Sequence, residues 1–121
     1  LLPADGSSIS FFPVPIITIS NEIENTGEIT GDIFGVFQFL LNYYPLFYDN
    51  LSEVIISEEK WTFYSDSKTQ IFTKSENLFN QLNILMNFEQ TVSSNRQLND
   101  YSYIDLRIEE QIVVKEKYRK G

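Results

Sequence analysis

The chain contains no cysteine and no histidine. It therefore lacks thiol nucleophiles, imidazole bases and the commonest zinc ligands, and it also lacks a glycine-rich phosphate loop. We expect no enzymatic activity and no cofactor. The carboxylates of Asp49, Glu53, Glu58 and Glu59 leave a hydrolase using two acids as a third reading, although their spacing favours no particular pair.

Basic residues are scarce, with nine Lys and Arg against 17 Asp and Glu and a formal net charge of −8. This balance disfavours binding to nucleic acid or to anionic lipid headgroups. Long apolar runs are missing too. The densest run, Ile33 to Leu41, is interrupted by Gln38 and is about half of the ~20 residues that a membrane helix needs. We expect this segment to be soluble.

The 121 residues that are present suit one compact domain, residues 1–121, and an apolar share of 42% with 15% aromatic residues is enough for a core. The sequence begins at Leu1 without Met and without a signal-like region. We expect it to be a fragment of a longer protein.

The first third of the chain predicts extended structure and then a loop. The Asp5-Gly6 pair between short apolar pieces favours a hairpin. The run from Phe11 to Ile19 is expected to be an edge or lead-in strand, because its two prolines disfavour the α region and withhold ladder donors. The polar residues from Ser20 to Gly31 predict a loop.

Two segments have the spacing of amphipathic helices. The first is expected to be capped by Asp32 and to end at Pro45, with apolar residues Ile33, Phe37, Leu40, Leu41 and Tyr44 at helical spacing. The second is expected to be capped by Ser75 and to run to about Glu89, with one apolar stripe formed by Leu78, Phe79, Leu82, Leu85 and Met86. The Leu78, Leu82 and Leu85 side chains could form a partner groove, but we expect them to be core.

Strand patterns lie between and after these helices. Ser52–Ser57 predicts a short strand, and Trp61–Tyr64 with Gln70–Thr73 predicts a hairpin around a polar turn. The order of elements indicates an α+β fold, a mostly antiparallel sheet of hairpins with two helices packed on one face, ending in a C-terminal β-hairpin.

The C-terminal hairpin is the most distinctive stretch. From Tyr101 to Ile108 polar and apolar residues alternate, which predicts a strand with Tyr101, Tyr103, Asp105 and Arg107 on its outer face. Three polar residues, 109–111, have the length of a hairpin connection. Ile112 to Lys117 is rich in β-branched residues and predicts the returning strand.

The sequence Tyr-Ile-Asp-Leu-Arg at 103–107, followed by a short polar turn and a Val-rich strand, resembles the C-terminal β domain of the bacterial division proteins FtsQ and DivIB. The order of elements, the Asp-Gly opening at 2–8, the Pro-Ile-Ile segment at 15–17 and the Trp61 hairpin also resemble that family. The hairpin turn at 65–68 carries no glycine, unlike the family pattern, and the loop from Ser20 to Gly31 is long.

The resemblance implies a non-catalytic scaffold of the divisome. It implies a single-pass membrane protein whose membrane helix and POTRA domain lie upstream, with this domain on the extracytoplasmic side of the cell membrane at the division septum. The expected partners are FtsB/DivIC-like and FtsL-like proteins, which act with it in the complex that regulates septal peptidoglycan synthesis during cell division.

Carried over to this sequence, the partner-binding positions of the family fall in and just after the motif. They are Arg107, Ile108, Glu110, Ile112, Val113, Val114, Lys115 and Glu116. Some family members have an aromatic residue where this chain has Ile108, so an aromatic anchor would be lost.

The same residues have simpler readings. The last strand could be an ordinary sheet edge protected by its charged side chains. Arg107 could fork onto a partner carboxylate or pair with Asp105 or Glu109 of its own chain. Asp105 is expected to be structural, and the acids of the turn could simply be solvated.

A second function is open from another class. A small extracytoplasmic module could bind a glycan or another ligand on exposed aromatic residues such as Trp61, Tyr101 and Tyr103. Trp61, at the start of a strand, could equally be part of the core.

Overall fold

The computed structural model describes residues 15–20 and 26–117. In these ranges the strands are β1 (Ile16–Ile19), β2 (Leu51–Ile56), β3 (Lys60–Ser65), β4 (Gln70–Lys74), β5 (Tyr101–Asp105) and β6 (Val113–Glu116). The helices are α1 (Thr26–Tyr43), α2 (Pro45–Asp49) and α3 (Leu78–Val92), and a 3-10 turn, Leu98–Asp100, precedes β5.

The six strands form a single sheet whose spatial order follows the chain, β1-β2-β3-β4-β5-β6. Three neighbouring pairs are antiparallel: β2 with β3, β3 with β4, and β5 with β6. The pairs β1·β2 and β4·β5 are parallel, and the helices of the chain lie within their two connections, as parallel neighbours require. The expected α+β fold with a mostly antiparallel sheet and a terminal hairpin is confirmed.

One row of residues across the sheet shows where the core lies. Val54, Phe63, Ile71 and Ile104 are direct neighbours on β2 to β5, and all four are buried. They pack in one cluster with Val36 and Leu40 of α1 and with Leu78, Leu82 and Leu85 of α3. The prediction that Phe79 belongs to the same buried stripe is wrong, because its side chain is 46% exposed. Strands alternate their side chains, so the neighbouring row lies on the other face. In that row Thr62 is buried, and Ile55, Phe72 and Asp105 are half-buried. The helices thus cover one face, as expected.

Helix α1 begins earlier than expected. The predicted loop from Ser20 to Gly31 is wrong from Thr26 onwards, and Asp32 lies inside the helix rather than at its cap. The apolar spacing that continues upstream to Ile29 explains the longer helix, since Ile29 and Ile33 pack against the core. Residues 21–25 of the predicted loop lie outside the described residues.

Pro45 ends the first helix as predicted, but a short unpredicted helix follows. Helix α1 stops at Tyr43, and Pro45 occupies the first turn of α2. Proline is well tolerated there because its missing N–H would have no partner within the helix. The buried ring of Phe47 anchors α2 to the core.

The start of α3 also differs from the prediction. Its N-cap is Asn77, with a φ of 63°, and the Ser75 hydroxyl instead donates to the backbone oxygen of Glu58 at 3.0 Å. Asn tolerates this left-handed conformation better than most residues. The buried amide of Gln81 bonds the backbone of Lys74 and Glu76, which joins the end of β4 to the first turn of the helix.

Other predicted strands hold with small shifts of their ends. The expected edge strand is confirmed for Ile16–Ile19, while its beginning and the Asp5-Gly6 hairpin lie outside the described residues. The strand at Ser52–Ser57 and the Trp61 hairpin correspond to β2 and to β3 with β4.

Candidate partner-binding edge

Strand β5 is shorter than predicted and carries an irregularity. It ends at Asp105 instead of Ile108, and its register against β6 shifts between Tyr101 and Tyr103. Because an extra residue in one strand reverses the following alternation, Tyr101 faces the core together with Ile104. The prediction that Tyr101 lies on the outer face is wrong: it is 4% exposed, with its ring 5.7 Å from that of Phe88.

Asp105 and Arg107 form a closed pair just after β5. The Arg107 Nε and Nη2 atoms donate to the two carboxylate oxygens at 2.9 and 2.8 Å, and the backbone N–H of Arg107 donates to Oδ1 at 3.0 Å. The guanidinium bonds hold the pKa of Asp105 below its ordinary value, with the backbone bond and the charge of Arg107 adding to the effect. The structural reading of Asp105 is confirmed, as is pairing of Arg107 within its own chain.

Arg107 also contacts an aromatic ring that the sequence patterns did not single out. The ring of Phe72 lies 5.1 Å from the Arg107 guanidinium and 5.0 Å from the Lys60 ammonium. The ring of Tyr103 is 5.8 Å from Phe72. The exposed face of the sheet therefore carries an aromatic pair flanked by two cations beside the terminal hairpin.

The connection between β5 and β6 is longer than predicted, residues 106–112 instead of three polar residues. Its first residue, Leu106, is buried and donates its N–H to the backbone oxygen of Phe72 at 2.9 Å. A turn closed by Gln111 N–H on the backbone oxygen of Ile108 follows, with Glu110 at a φ of 62°. Ile108 is 47% exposed, whereas Ile112 packs partly against the core and precedes the strand.

Strand β6 lies at the end of the sheet. It pairs with β5 on one side, and no further strand of the described residues pairs with its other side. Val114 and Lys115 are exposed and Val113 is half-buried. Since the N–H and C=O groups of an antiparallel strand point alternately to either side, part of the β6 backbone faces outwards without a strand partner in the described chain.

Polar contacts hold the far end of β6. Arg96 Nε donates to Glu116 Oε2 at 3.0 Å, and the Lys117 N–H donates to the backbone oxygen of Asp100 at 3.0 Å. The Lys117 ammonium donates to the backbone oxygen of Ser67 at 2.7 Å. These contacts fix the C-terminal end of β6 against the rest of the domain.

The predicted partner-binding residues divide into two groups. Arg107, Ile108, Glu110 and Ile112 lie in the connection, and Val113 to Glu116 form the edge strand itself. Two of them are engaged within the chain, Arg107 with Asp105 and Glu116 with Arg96. The exposed side chains of the set are Ile108, Glu110, Val114 and Lys115.

The aromatic residues of the glycan-binding reading do not share a surface. Trp61 is 2% exposed, so its core reading is confirmed, and Tyr101 is buried on the same helix-covered face. Tyr103 lies on the opposite face beside Phe72. The three rings cannot form one stacking platform.

The acidic residues of the hydrolase reading are also dispersed. Asp49 ends α2, Glu53 is in β2 within 3.4 Å of the Thr18 hydroxyl, and Glu58 and Glu59 lie in the turn before β3. Within residues 15–20 and 26–117, no three acidic side chains come together in a group able to hold a metal ion.

Neither a family model nor a curated protein matches this sequence. In the part of the chain that the structure describes, none of the helices has the length and apolar character needed to cross a membrane.

Proposed function

We propose that this domain is a non-catalytic scaffold of the bacterial divisome, of the FtsQ/DivIB type. It binds an FtsB/DivIC-like partner, with an FtsL-like protein alongside, by addition of a partner strand to β6. The whole protein is anchored in the cell membrane by a single helix, and this domain acts outside the membrane at the septum to regulate peptidoglycan synthesis.

The position of β6 is the observation that carries the proposal. It is the last strand of the sheet order, and only its β5 side is paired within the described residues. An outward row of N–H and C=O groups is the feature to which an extended partner segment adds by β-augmentation. The backbone supplies affinity, and alternate side chains supply specificity.

The residues around the edge fit recognition of an extended chain. Val114 offers apolar contact on the helix-covered side, since it is the direct neighbour of buried Ile104. On the other side Val113 is the neighbour of Asp105, which holds Arg107. A partner strand therefore meets an apolar rim on one face and a charged pair on the other.

Partner capture by edge variants tests the proposal. Because alternate N–H groups point outwards, proline at Val113 or at Val114 removes an outward donor at one position and a β5 bond at the other. Both variants are made, and the one with unchanged thermal stability is used. We expect this variant and Arg107→Glu to weaken capture of the FtsB/DivIC-like partner by about tenfold or more.

Lys68→Glu is the matched control for the charge reversal, because Lys68 is an exposed cation in the β3–β4 turn. Its capture should equal that of the wild type. Full capture by all the edge variants would remove β6 as the binding site.

A further inference from the structure

Charge is distributed unevenly along this chain, and the imbalance falls on the helices. Residues 1–59 contain none of the nine basic residues but nine of the 17 acidic ones. Residues 75–95, which include α3, also contain no Lys or Arg. The helical layer, defined as α1, α2 and α3, therefore carries charge of one sign, whereas the strands and their turns carry Lys and Arg as well.

The same layer exposes large apolar side chains. On α1, Phe34 is 73% exposed and Tyr43 is 68% exposed, and Phe79 at the start of α3 is 46% exposed. The ring of Phe39 lies 5.2 Å from both Phe79 and Tyr43, so the aromatic surface runs across both helices. Continuous apolar surface of this kind is typical of an interaction site.

A groove runs between these two helices beside the aromatic surface. The α1–α3 groove has a volume of about 500 Å³ and is lined by Ile29, Gly31, Asp32, Gly35, Glu58 and Phe79 among others. All of these except Ile29 are exposed, so the groove is open to solvent. An open cleft suits an extended or helical segment of a protein better than a small molecule, because small-molecule sites cover most of the surface of their ligand.

Two glycines of α1, Gly31 and Gly35, are part of the lining of the groove. A Cβ atom at Gly31 would meet no other atom within 4 Å, and one at Gly35 would meet only Phe79 Cζ at 3.9 Å. Glycine inside a helix costs roughly 0.5–1 kcal/mol relative to alanine, and contacts of the described chain do not require it at Gly31. The absence of side chains at these positions keeps the groove deep.

Two acidic residues border the groove, and hydrogen bonds to its backbone fix the turn that carries one of them. Glu58 lies in the turn between β2 and β3, whose backbone oxygens accept from the Ser75 hydroxyl and from the Ser75 N–H, both at 3.0 Å. Asp32 lies one residue from Gly31 on α1. A cation that enters the groove beside its apolar lining residues would meet these two carboxylates.

We propose that the α1–α3 groove binds a basic amphipathic segment of a partner protein. An aliphatic or aromatic side chain of this segment packs over Gly31 and Gly35, and its Lys or Arg residues face Asp32 and Glu58. A second copy of the chain fits less well, because a symmetric contact would oppose these acids with themselves. An anionic membrane surface is repelled for the same reason.

Binding of designed peptides to the full chain tests the proposal. The probe is a peptide of about 15 residues with Leu and Lys at the spacing of an amphipathic helix, and its control replaces every Lys by Glu. We expect the Lys peptide to shift the amide resonances of Gly31, Gly35 and Phe79, to leave those of Val113 to Glu116 unchanged, and to bind more weakly as salt is raised.

Variants at Gly31 and at Asp32 locate the contact. Gly31→Leu fills the groove and should weaken binding by about tenfold or more, whereas Gly31→Ala adds one methyl group and should change it by less than about threefold. Asp32→Lys should weaken binding by about tenfold, because it places a cation against a cation. Gly31→Ala also serves as the folding control, since alanine favours the helix.

Three results would overturn the assignment. The first is equal binding of the Lys and Glu peptides, or no binding of either peptide. The second is full binding by Gly31→Leu. The third is self-association of the wild-type chain in sedimentation experiments that Gly31→Leu abolishes, which would give the groove to a second copy.

Discussion

The terminal hairpin, β5 and β6 with their connection, and the helical layer belong to one core but are held by different interactions. The hairpin adds charged and polar contacts, including Arg96–Glu116 and Asp105–Arg107, to the packing of its buried residues. The helical layer is fastened by apolar packing, and the hydroxyl of Tyr44, which lies between α1 and α2, donates to Glu89 of α3. The hairpin therefore offers a partner backbone groups at a fixed edge, and the layer offers apolar and acidic side chains.

The largest expected effect tests whether the two regions share one core. Ile104 is fully buried in the row that joins β2 to β5, so Ile104→Ala should cost about 2–5 kcal/mol of unfolding free energy. Urea unfolding followed by helical circular dichroism and by fluorescence of the single tryptophan, Trp61, should give coincident transitions. Exposed Ile108→Ala is the control and should change stability by less than about 0.5 kcal/mol. If Ile104→Ala left both transitions at the wild-type urea concentration, the hairpin would not share a core with the helices and with the sheet around Trp61 of β3.

A smaller effect tests the polar fastening of the hairpin. The Thr69 hydroxyl is fully buried and donates to the backbone oxygen of Tyr101 at 2.8 Å, with that of Leu98 at 3.3 Å. Thr69→Val leaves both acceptors without this donor and should cost about 1–3 kcal/mol in urea unfolding. Thr69→Ser keeps the hydroxyl and should cost less. If the two variants unfold at the same urea concentration, the hydrogen bond does not fasten β5.

The next effect tests the link between the helices through its pH dependence. Burial raises the pKa of Tyr44, and the hydrogen bond and charge of Glu89 raise it further. Because its pKa is higher in the folded state, Tyr44 contributes its full stabilisation below the pKa of an unfolded tyrosine, about 10. This contribution to the free energy of unfolding is lost as pH rises from there towards the folded-state pKa. Tyr44→Phe should cost about 1 kcal/mol at pH 7, and its difference from wild type should shrink above pH 10.

Tyr43→Phe is the control for this titration, because Tyr43 is exposed on α1. Unfolding in urea at neutral and alkaline pH measures the difference for each variant. A constant gap between wild type and Tyr44→Phe would show that the hydroxyl does not stay protonated in the folded state.

The smallest effect concerns the charged pair beside the edge strand. Because the guanidinium of Arg107 lowers the pKa of Asp105, the pair stabilises the fold above the ordinary pKa of Asp, about 3.9, and loses this contribution as pH falls. Carboxyl NMR should give the lowest Asp105 pKa in wild type, a higher one in Arg107→Lys, which cannot fork, and the highest in Arg107→Ala. If the pKa of Asp105 were the same in Arg107→Ala as in the wild type, Arg107 would not stabilise the Asp105 carboxylate. The expected loss of stability is below about 1 kcal/mol, because Arg107 is partly exposed.

Local patterns in the sequence predicted much of the sheet and put Asp105 among the possible partners of Arg107. The alternation through Phe63, Ile71 and Ile104 identifies the core face, because side chains of a strand alternate independently of their partners. The spacing of Asp105 and Arg107 places both on one side of an extended chain, and the structure selects Asp105 from the partners considered for Arg107. Both inferences depend on residues close together in the sequence.

The remaining features depend on geometry that local patterns do not contain. The register shift between Tyr101 and Tyr103 reverses the face of Tyr101, and no glycine or proline marks it. The contacts of Phe72 with Lys60 and Arg107 require the pairing of β4 with β5 across the α3 crossover. The glycines of α1 favour a loop by propensity, but packing of Ile29 and Ile33 on the core overrides them.

The most direct measurement of the proposed function is amide hydrogen exchange of the domain with and without the FtsB/DivIC-like partner. Strand addition predicts that the partner slows exchange at alternate residues of Val113 to Glu116, whose outward N–H groups gain acceptors, while the amides of α1 and α3 are unchanged. Unchanged exchange in β6, with protection appearing at another surface, would contradict the account.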